Sequence, residues 1–291
     1  MRYAYYPGCS LHSTAKEFDH SLRAVFKRLD IELVEVKNWF CCGSTPAHSV
    51  SRLLATALPL GNIALMQKMG LGEVVVPCPS CFSHFKSALL SVKNEPTLRE
   101  ELEGVIKGGW SDEIRIYHPL QVLAEEPQLH KMASLKKEEL TGLKMVCYYG
   151  CLLTRPPKVT GFDDPEYPET MDRVLRALGV TTLDWSYKTD CCGASFALTR
   201  TDIALKLSHE ILQGAKAVGA DGIVVACPLC HINLDTRQEQ IEKAYGVDYK
   251  LPIFYFTQLM GMTFGLSPKE LLLGKHFVDA VSKIQEVRQH A

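Results

Sequence analysis

The 291-residue sequence has no uninterrupted apolar run near the ~20 residues that a membrane-crossing helix needs, which excludes a helical span. It has almost no net charge, −1 from 32 Lys and Arg against 33 Asp and Glu, so nothing draws it broadly to nucleic acid or an anionic bilayer. The G-x-G-x-x-G fingerprint of flavin and nucleotide sites is absent, so any electrons must arrive from a partner. The ferredoxin run C-x2-C-x2-C-x3-C-P is absent as well. The opening Met1-Arg2-Tyr3-Ala4-Tyr5 is not a signal peptide, and a cytoplasmic location is the expectation.

What the chain has in quantity is cysteine, 11 residues, ten of them in a pattern used twice. Cys9, Cys41-Cys42-Gly43 and Cys78-Pro79-Ser80-Cys81 follow C-x31-CC-x35-C-x2-C; Cys151, Cys191-Cys192-Gly193 and Cys227-Pro228-Leu229-Cys230 follow C-x39-CC-x34-C-x2-C. Such density in a reducing compartment points to metal or redox chemistry. Adjacent cysteines are awkward disulfide partners, and a 291-residue chain that is 46% hydrophobic can build its core without staples.

The segments around the cysteines repeat too. Short strands are expected at Tyr3–Tyr6, Glu32–Val36, Glu73–Val76 and Ile114–Tyr117, and again at Lys144–Tyr148, Thr182–Trp185, Gly222–Val225 and Pro252–Phe256. Helices are expected between them, notably Ser13–Leu29, Pro46–Met69, Glu169–Leu178 and Ala194–Ala217. Ser267-Pro268-Lys269-Glu270 reads as a further helix start. A Pro-rich loop, Arg155–Pro168, breaks the likeness between the halves, and the charged stretch His130–Gly142 reads as the link between them. The expected architecture is α/β: two pseudo-symmetric repeats, residues 1–130 and 143–291, each a parallel sheet with helices and with cysteines at the C-terminal ends of its strands. Ligands gather at that edge in such sheets.

Five thiols per half discriminate between metals. Zinc takes four ligands in a structural site, leaving one cysteine unused at matching positions in both halves. A cubane [4Fe–4S] cluster also takes four. Five suggest an iron–sulfur cluster with more terminal sites or a bridging thiolate, since Cys41 and Cys42 suit two irons better than one. Spacing alone does not give the cluster's shape.

The doubled pattern, with Tyr5-Tyr6-Pro7-Gly8-Cys9 opening the chain, resembles the cysteine-rich CCG-domain family over nearly the whole sequence, and most closely the B subunits of methanogen heterodisulfide reductases. The resemblance implies two noncubane [4Fe–4S] clusters, one on Cys9, Cys41, Cys42, Cys78 and Cys81, the other on Cys151, Cys191, Cys192, Cys227 and Cys230. It implies reduction of the coenzyme M–coenzyme B mixed disulfide. Electrons would come through a ferredoxin-like C subunit from a flavin-bearing A subunit, with a hydrogenase or formate dehydrogenase further upstream. CCG domains in fumarate-coupled thiol oxidation and in glycolate or lactate oxidation offer a rival substrate. A zinc-stabilised scaffold subunit is a rival of another class.

Other residues carry weaker signals. His12, His48, His84 and His231 lie near the cysteines and can serve as proton donors, His231 foremost because it directly follows Cys230. Arg155, Lys158 and Lys188 surround the second motif and are candidates for an anionic substrate, which needs cations in the cleft. Phe40 and Asp190 precede the paired cysteines and would tune the two sites differently. Cys147, the eleventh cysteine, matches Tyr5 and reads as a small buried strand residue. Tyr5, Tyr6, Tyr148 and Tyr149 read as packing beside the clusters.

Overall fold

The structure, a computed structural model, describes residues 1–44, 47–140 and 142–290. Eight short strands form two four-stranded parallel sheets. β1 (Arg2–Tyr5), β2 (Glu32–Glu35), β3 (Glu73–Val75) and β4 (Arg115–Tyr117) pair in the order β2-β1-β3-β4. β5 (Lys144–Tyr148), β6 (Thr181–Thr182), β7 (Gly222–Val225) and β8 (Ile253–Tyr255) pair as β6-β5-β7-β8. The inner strands are buried Val, Ile, Ala and Tyr, as a sheet covered on both faces requires.

This strand order determines where the site lies. The chain runs outward from β1 to β2, then returns past β1 to β3, so the connections after β1 and β3 leave toward opposite faces. A crevice opens at the C-terminal ends of those two strands, the switch point at which open α/β sheets bind ligands. Cys9 follows β1 and Cys78 follows β3; Cys151 follows β5 and Cys227 follows β7.

The halves meet reciprocally. Helix Lys16–Arg28 packs on Phe256–Thr263, and its counterpart Thr170–Ala177 packs on Pro119–Leu123. At the first of these contacts Phe18 stacks on Tyr255 at 4.4 Å, and the Ser21 and Thr257 hydroxyls meet at 2.7 Å. Closer to the cysteines, Pro79–Asn94 packs on Cys151–Thr154, and Gly8–His12 packs on Pro228–Thr236. Each relation is found twice with the halves exchanged, as in an isologous dimer interface.

Some local expectations differ from the structure. The helix expected from Pro46 is two pieces, Ala47–Val50 and Arg52–Gln67, because Ser51 is extended and its hydroxyl accepts from Leu54 N at 3.3 Å as an N-cap; Pro46 lies outside the described residues. The second-half counterpart is a 3-10 turn, Ala194–Phe196, before Thr201–Ala217. At Ser267 the capping contacts with Glu270 form, but a left-handed Leu272 stops the chain after one turn. The expected link begins as a helix, Glu126–Leu135, anchored by the buried Met132.

Candidate thiol centres

Each Cys-Cys-Gly is a sulfur-holding loop. Gly43 and Gly193 have φ of 80° and 77°, a region that glycine enters without strain. A side chain would also collide: a Cβ on Gly193 would sit 2.9 Å from Ala204 Cα, and one on Gly43 2.8 Å from Leu58 Cδ1. With the backbone turned this way, Gly43 N–H donates to Cys41 Sγ and Gly193 N–H to Cys191 Sγ, both at 3.4 Å. The amides of Ser44 and Ala194 do the same for Cys42 and Cys192. The glycine thus orients two successive amides at two successive sulfurs and favours their thiolate forms.

The other thiols join these. Cys42 and Cys81 sulfurs are 3.1 Å apart, and Cys192 and Cys230 are 3.6 Å apart. Cys78 lies close to Cys81, and Cys151 to Cys191, near enough for each to perturb the other's titration. Close sulfurs split one another's titration. Cys42 is driven down by bonds from Cys41 and Cys81, with the nearby His84 ring acting in the same direction, while Cys41 is driven up by Cys42 and by burial. In the second half Cys191 falls to about 6 through its bond from Cys151, which rises. Each quintet is therefore one electrostatic unit, and it includes Cys9, whose charge acts on Cys41. Gly8 and Gly150, both at positive φ, allow close approach: a Cβ there would lie 3.3 Å from Cys81 Sγ and 3.0 Å from Cys230 Sγ. Tyr6 and Tyr148 lie beside the thiols of their own half. Each hydroxyl donates to the carbonyl just before the paired cysteines, Phe40 O at 2.7 Å and Asp190 O at 2.5 Å.

The donor set, five thiols to a half, fits an iron–sulfur cluster. In each half two of those sulfurs are in contact, Cys42 with Cys81 and Cys192 with Cys230.

A cavity of about 310 Å³ lies where the halves meet. Cys151, Cys191, Cys192, Cys227 and Cys230 all line it, with Tyr149, Leu152 and Leu229. Its opposite wall comes from the first half: Ser44 beside the first Cys-Cys-Gly, Pro79 and Ser80 between Cys78 and Cys81, and His84 one helical turn after Cys81. An open groove of about 630 Å³ beneath Trp110 is larger but contains no thiol and lies at the N-terminal ends of β3 and β4, away from the cysteines.

The remaining candidates are distributed differently. His231 is buried, stacked on Tyr255 at 4.3 Å, with Nε2 3.1 Å from Ile253 O; burial holds its ring neutral, and it does not line the cavity. His84 does. His12 is exposed against Glu35, and the side chain of His48 lies outside the described residues. Lys188 is buried, bonded to Pro168 O, Glu169 and Asp172, and Tyr149 donates to that same Asp172 at 2.6 Å. Arg155 bonds to Pro165 O, Glu166 and Thr189, while Lys158 is exposed; none of these three cations lines the cavity. Cys147 is buried on β5 beside Asp172, and its thiol is raised by burial first and by that carboxylate second.

The model of the cysteine-rich CCG domain matches twice, at residues 3–86 and 145–235, each match spanning one quintet. The chain belongs to the CCG family. Among relatives of this CCG protein, the 8-methylmenaquinol:fumarate reductase membrane anchor subunit of Wolinella succinogenes is 28% identical over 96% of this chain and 97% of its own. The B subunit of the ferredoxin/F420H2-dependent CoB-CoM heterodisulfide reductase of Methanosarcina acetivorans is 26% identical over 96% of each chain. A protein of Archaeoglobus profundus, named for its likeness to the heterodisulfide reductase B subunit, is 26% identical over 93% of each. The fold recurs in a crystal structure of a hypothetical protein from Helicobacter pylori, with a TM-score of 0.79 and 12% identity; it matches 97% of this CCG protein, which spans about half, 52%, of that longer chain. The relatives support iron–sulfur redox chemistry and assembly with partner subunits. No helix among the described residues is long and apolar enough to cross a membrane.

Proposed function

We propose that this CCG protein is the catalytic subunit of a heterodisulfide-reductase-type complex, with its two halves, 1–130 and 143–291, each a domain holding one noncubane [4Fe–4S] cluster. The observation that carries the reading is the cavity between the halves, lined by one complete quintet and walled opposite by residues next to the other. Cys9, Cys41, Cys42, Cys78 and Cys81 would hold one cluster, and Cys151, Cys191, Cys192, Cys227 and Cys230 the other. When bound, the clusters would supply single electrons on either side of a disulfide. The reaction is RSSR′ + 2e⁻ + 2H⁺ → RSH + R′SH, the S–S bond being the one broken. Electrons would enter from a ferredoxin-like C subunit, fed by a flavin-bearing A subunit and a hydrogenase or formate dehydrogenase upstream. The mixed disulfide of coenzymes M and B is the substrate this reading names.

The chain's own residues have separable tasks. The Gly43 and Gly193 turns present amides to the sulfurs, and Tyr6 and Tyr148 brace the backbone before each cysteine pair. The Tyr149 ring, Leu152 and Leu229 keep bulk water out, while Ser44, Ser80 and His84 offer hydrogen bonds from the other side.

One observation favours a second reading. Among the described residues no Lys or Arg lines the cavity, and the Wolinella relative is named for a quinol reaction. The same site would then exchange two electrons and two protons with a quinone.

The test is metal analysis with turnover on the anaerobically prepared protein. Roughly eight irons with matching sulfide, and thiol release from the mixed disulfide with a reduced low-potential donor, support the proposal. About two zincs and no sulfide refute it in favour of a scaffold.

A further inference from the structure

We infer that Asn233 tunes the second thiol centre: aimed by Arg237, its side-chain amide donates to the Cys192 sulfur and makes a cluster held on that quintet easier to reduce. The inference rests on the proposed function only in placing a cluster on the second quintet, and is independent of the substrate.

Cys230, Asn233 and Arg237 follow one another along one face of helix Pro228–Thr236 and its C-cap, at i, i+3 and i+7. Asn233 is buried, and its Nδ2 lies 3.0 Å from Cys192 O and 3.9 Å from Cys192 Sγ. The amide's orientation is fixed from both sides. The Cys192 carbonyl only accepts, so the amide nitrogen faces it. The Arg237 guanidinium only donates, so the amide oxygen faces that group, with Nε 3.0 Å from Oδ1. Arg237 is itself held by Ala197 O at 2.9 Å, four residues after Gly193, and by Gln240 at 3.4 Å. These three acceptors are neutral oxygens, so the guanidinium charge adds to the amide dipole that points at the sulfur. Ser208 donates to the same Cys192 carbonyl at 3.2 Å and holds the peptide in place.

A reduced cluster carries one more negative charge, part of it on the sulfurs. An N–H aimed at a sulfur stabilises that state more than the oxidised one and raises the potential. Asp190, the carboxylate directly before the cysteine pair, acts in the opposite sense but is exposed, where water and salt screen it. The first half is braced otherwise. Three residues after its CPxC segment stands His84, and the asparagine near its cysteine pair, Asn62, bonds to Phe40 N, Phe40 O and Leu58 O, not to a sulfur. Cys192 lines the cavity, so the centre that Asn233 favours for the electron is the one facing the substrate site.

The test is a reductive titration of the iron-loaded full chain under anaerobic conditions, followed by paramagnetic resonance and visible absorbance. The second centre is identified as the signal lost in the protein carrying Cys227→Ser with Cys230→Ser. Asn233→Leu keeps the side-chain volume and removes the N–H. The reduced-to-oxidised ratio of the second centre at a fixed potential is expected to drop about tenfold, which is about 59 mV for one electron. Arg237 is a positioning residue: Arg237→Met leaves the amide without its guide and is expected to lower the same centre by a smaller factor, and it decides the matter if Asn233→Leu does not fold. Asn62→Leu is the control and is expected to leave the second centre unmoved. A fall confined to the second centre, at unchanged iron and sulfide, supports the inference. Unmoved potentials with both signals present, or an equal fall in both centres, overturn it and leave the cluster reading standing. An unsubstituted chain without reducible iron removes that reading and the inference with it.

Discussion

The two halves have the same strand order and the same cysteine order, yet they present sulfur differently. Cys9 and Cys41 in the first half are exposed outside the cavity between the halves; in the second the corresponding Cys151, half-buried, and Cys191, also exposed, line it. The supporting polar networks differ in the same sense. In the first half the buried Tyr5 donates to Asp19, which pairs with Arg23, and Arg23 reaches Glu35, the three charged groups being partly exposed. In the second half the matching Asp172 is fully buried, the position of Tyr5 is occupied by Cys147, and Tyr149 supplies the hydroxyl instead. Lys188, from the loop before the cysteine pair, balances the charge. A duplicated scaffold has been elaborated on one side, where a buried ion network fixes the loop that carries Cys191 and Cys192, and left open on the other.

The comparison can be broken most sharply at its cations. Lys188→Met takes the nearer cation from the buried Asp172, leaving it the Tyr149 hydroxyl and the Arg176 guanidinium at 3.7 Å, and is expected to destabilise the protein by about 3 kcal/mol. Arg23→Met takes the cation from the partly exposed Asp19 and Glu35 and is expected to cost about 1 kcal/mol or less. Denaturant unfolding of the two variants measures the difference, and equal losses would show that the halves are not built differently.

A smaller asymmetry concerns the strand ends. His118 and Tyr255 occupy equivalent places after β4 and at the end of β8, each donating its own backbone N–H to the side-chain carbonyl of a glutamine three residues on, Gln121 and Gln258, both at 2.9 Å. His118 is buried, and desolvation lowers it from 6.5 to about 3. The unfolded chain then binds the extra proton, so this stabilisation is complete above pH 6.5 and is lost as pH falls toward about 3. From neutrality to pH 5 the loss attributable to His118 is roughly 2 kcal/mol. His118→Asn, which can still cap the helix, should flatten that part of the stability–pH curve, leaving the fall due to His231 and His276, both lowered by burial, the latter to about 4. An unchanged slope would remove His118 as a source of acid sensitivity.

Much of this is legible in the residues. The spacing of Cys9, Cys41-Cys42 and Cys78-x2-Cys81, repeated about 150 residues later, reveals the duplication, and Val-rich runs directly before the CPxC segments reveal the inner strands. The strand expected over Thr182–Trp185 pairs only at its first residue: β6 is Thr181–Thr182, and after Leu183 N–H bonds to Met145 O the chain leaves β5 toward Trp185. The functions of individual polar residues are not legible. His231 and His84 each follow a CPxC segment within three residues, yet one turns into the core and the other faces the partner half; only the packing of Pro79–Asn94 on Cys151–Thr154 decides that. Lys188 has the sequence context of a surface cation because its partners, Glu169 and Asp172, lie some twenty residues away, at the start of a helix.

The central claim is that the second quintet meets the substrate across a wall supplied by the first half. It is tested most directly by removing one quintet at a time, Cys78→Ser with Cys81→Ser in one protein and Cys227→Ser with Cys230→Ser in another. Iron is then counted, and the paramagnetic spectrum is recorded with and without thiol product. The account predicts that each protein keeps roughly half its iron, and that the thiol-induced spectral change survives loss of the first quintet and vanishes with the second. A thiol-induced change that survives loss of the second quintet and vanishes with the first would contradict it.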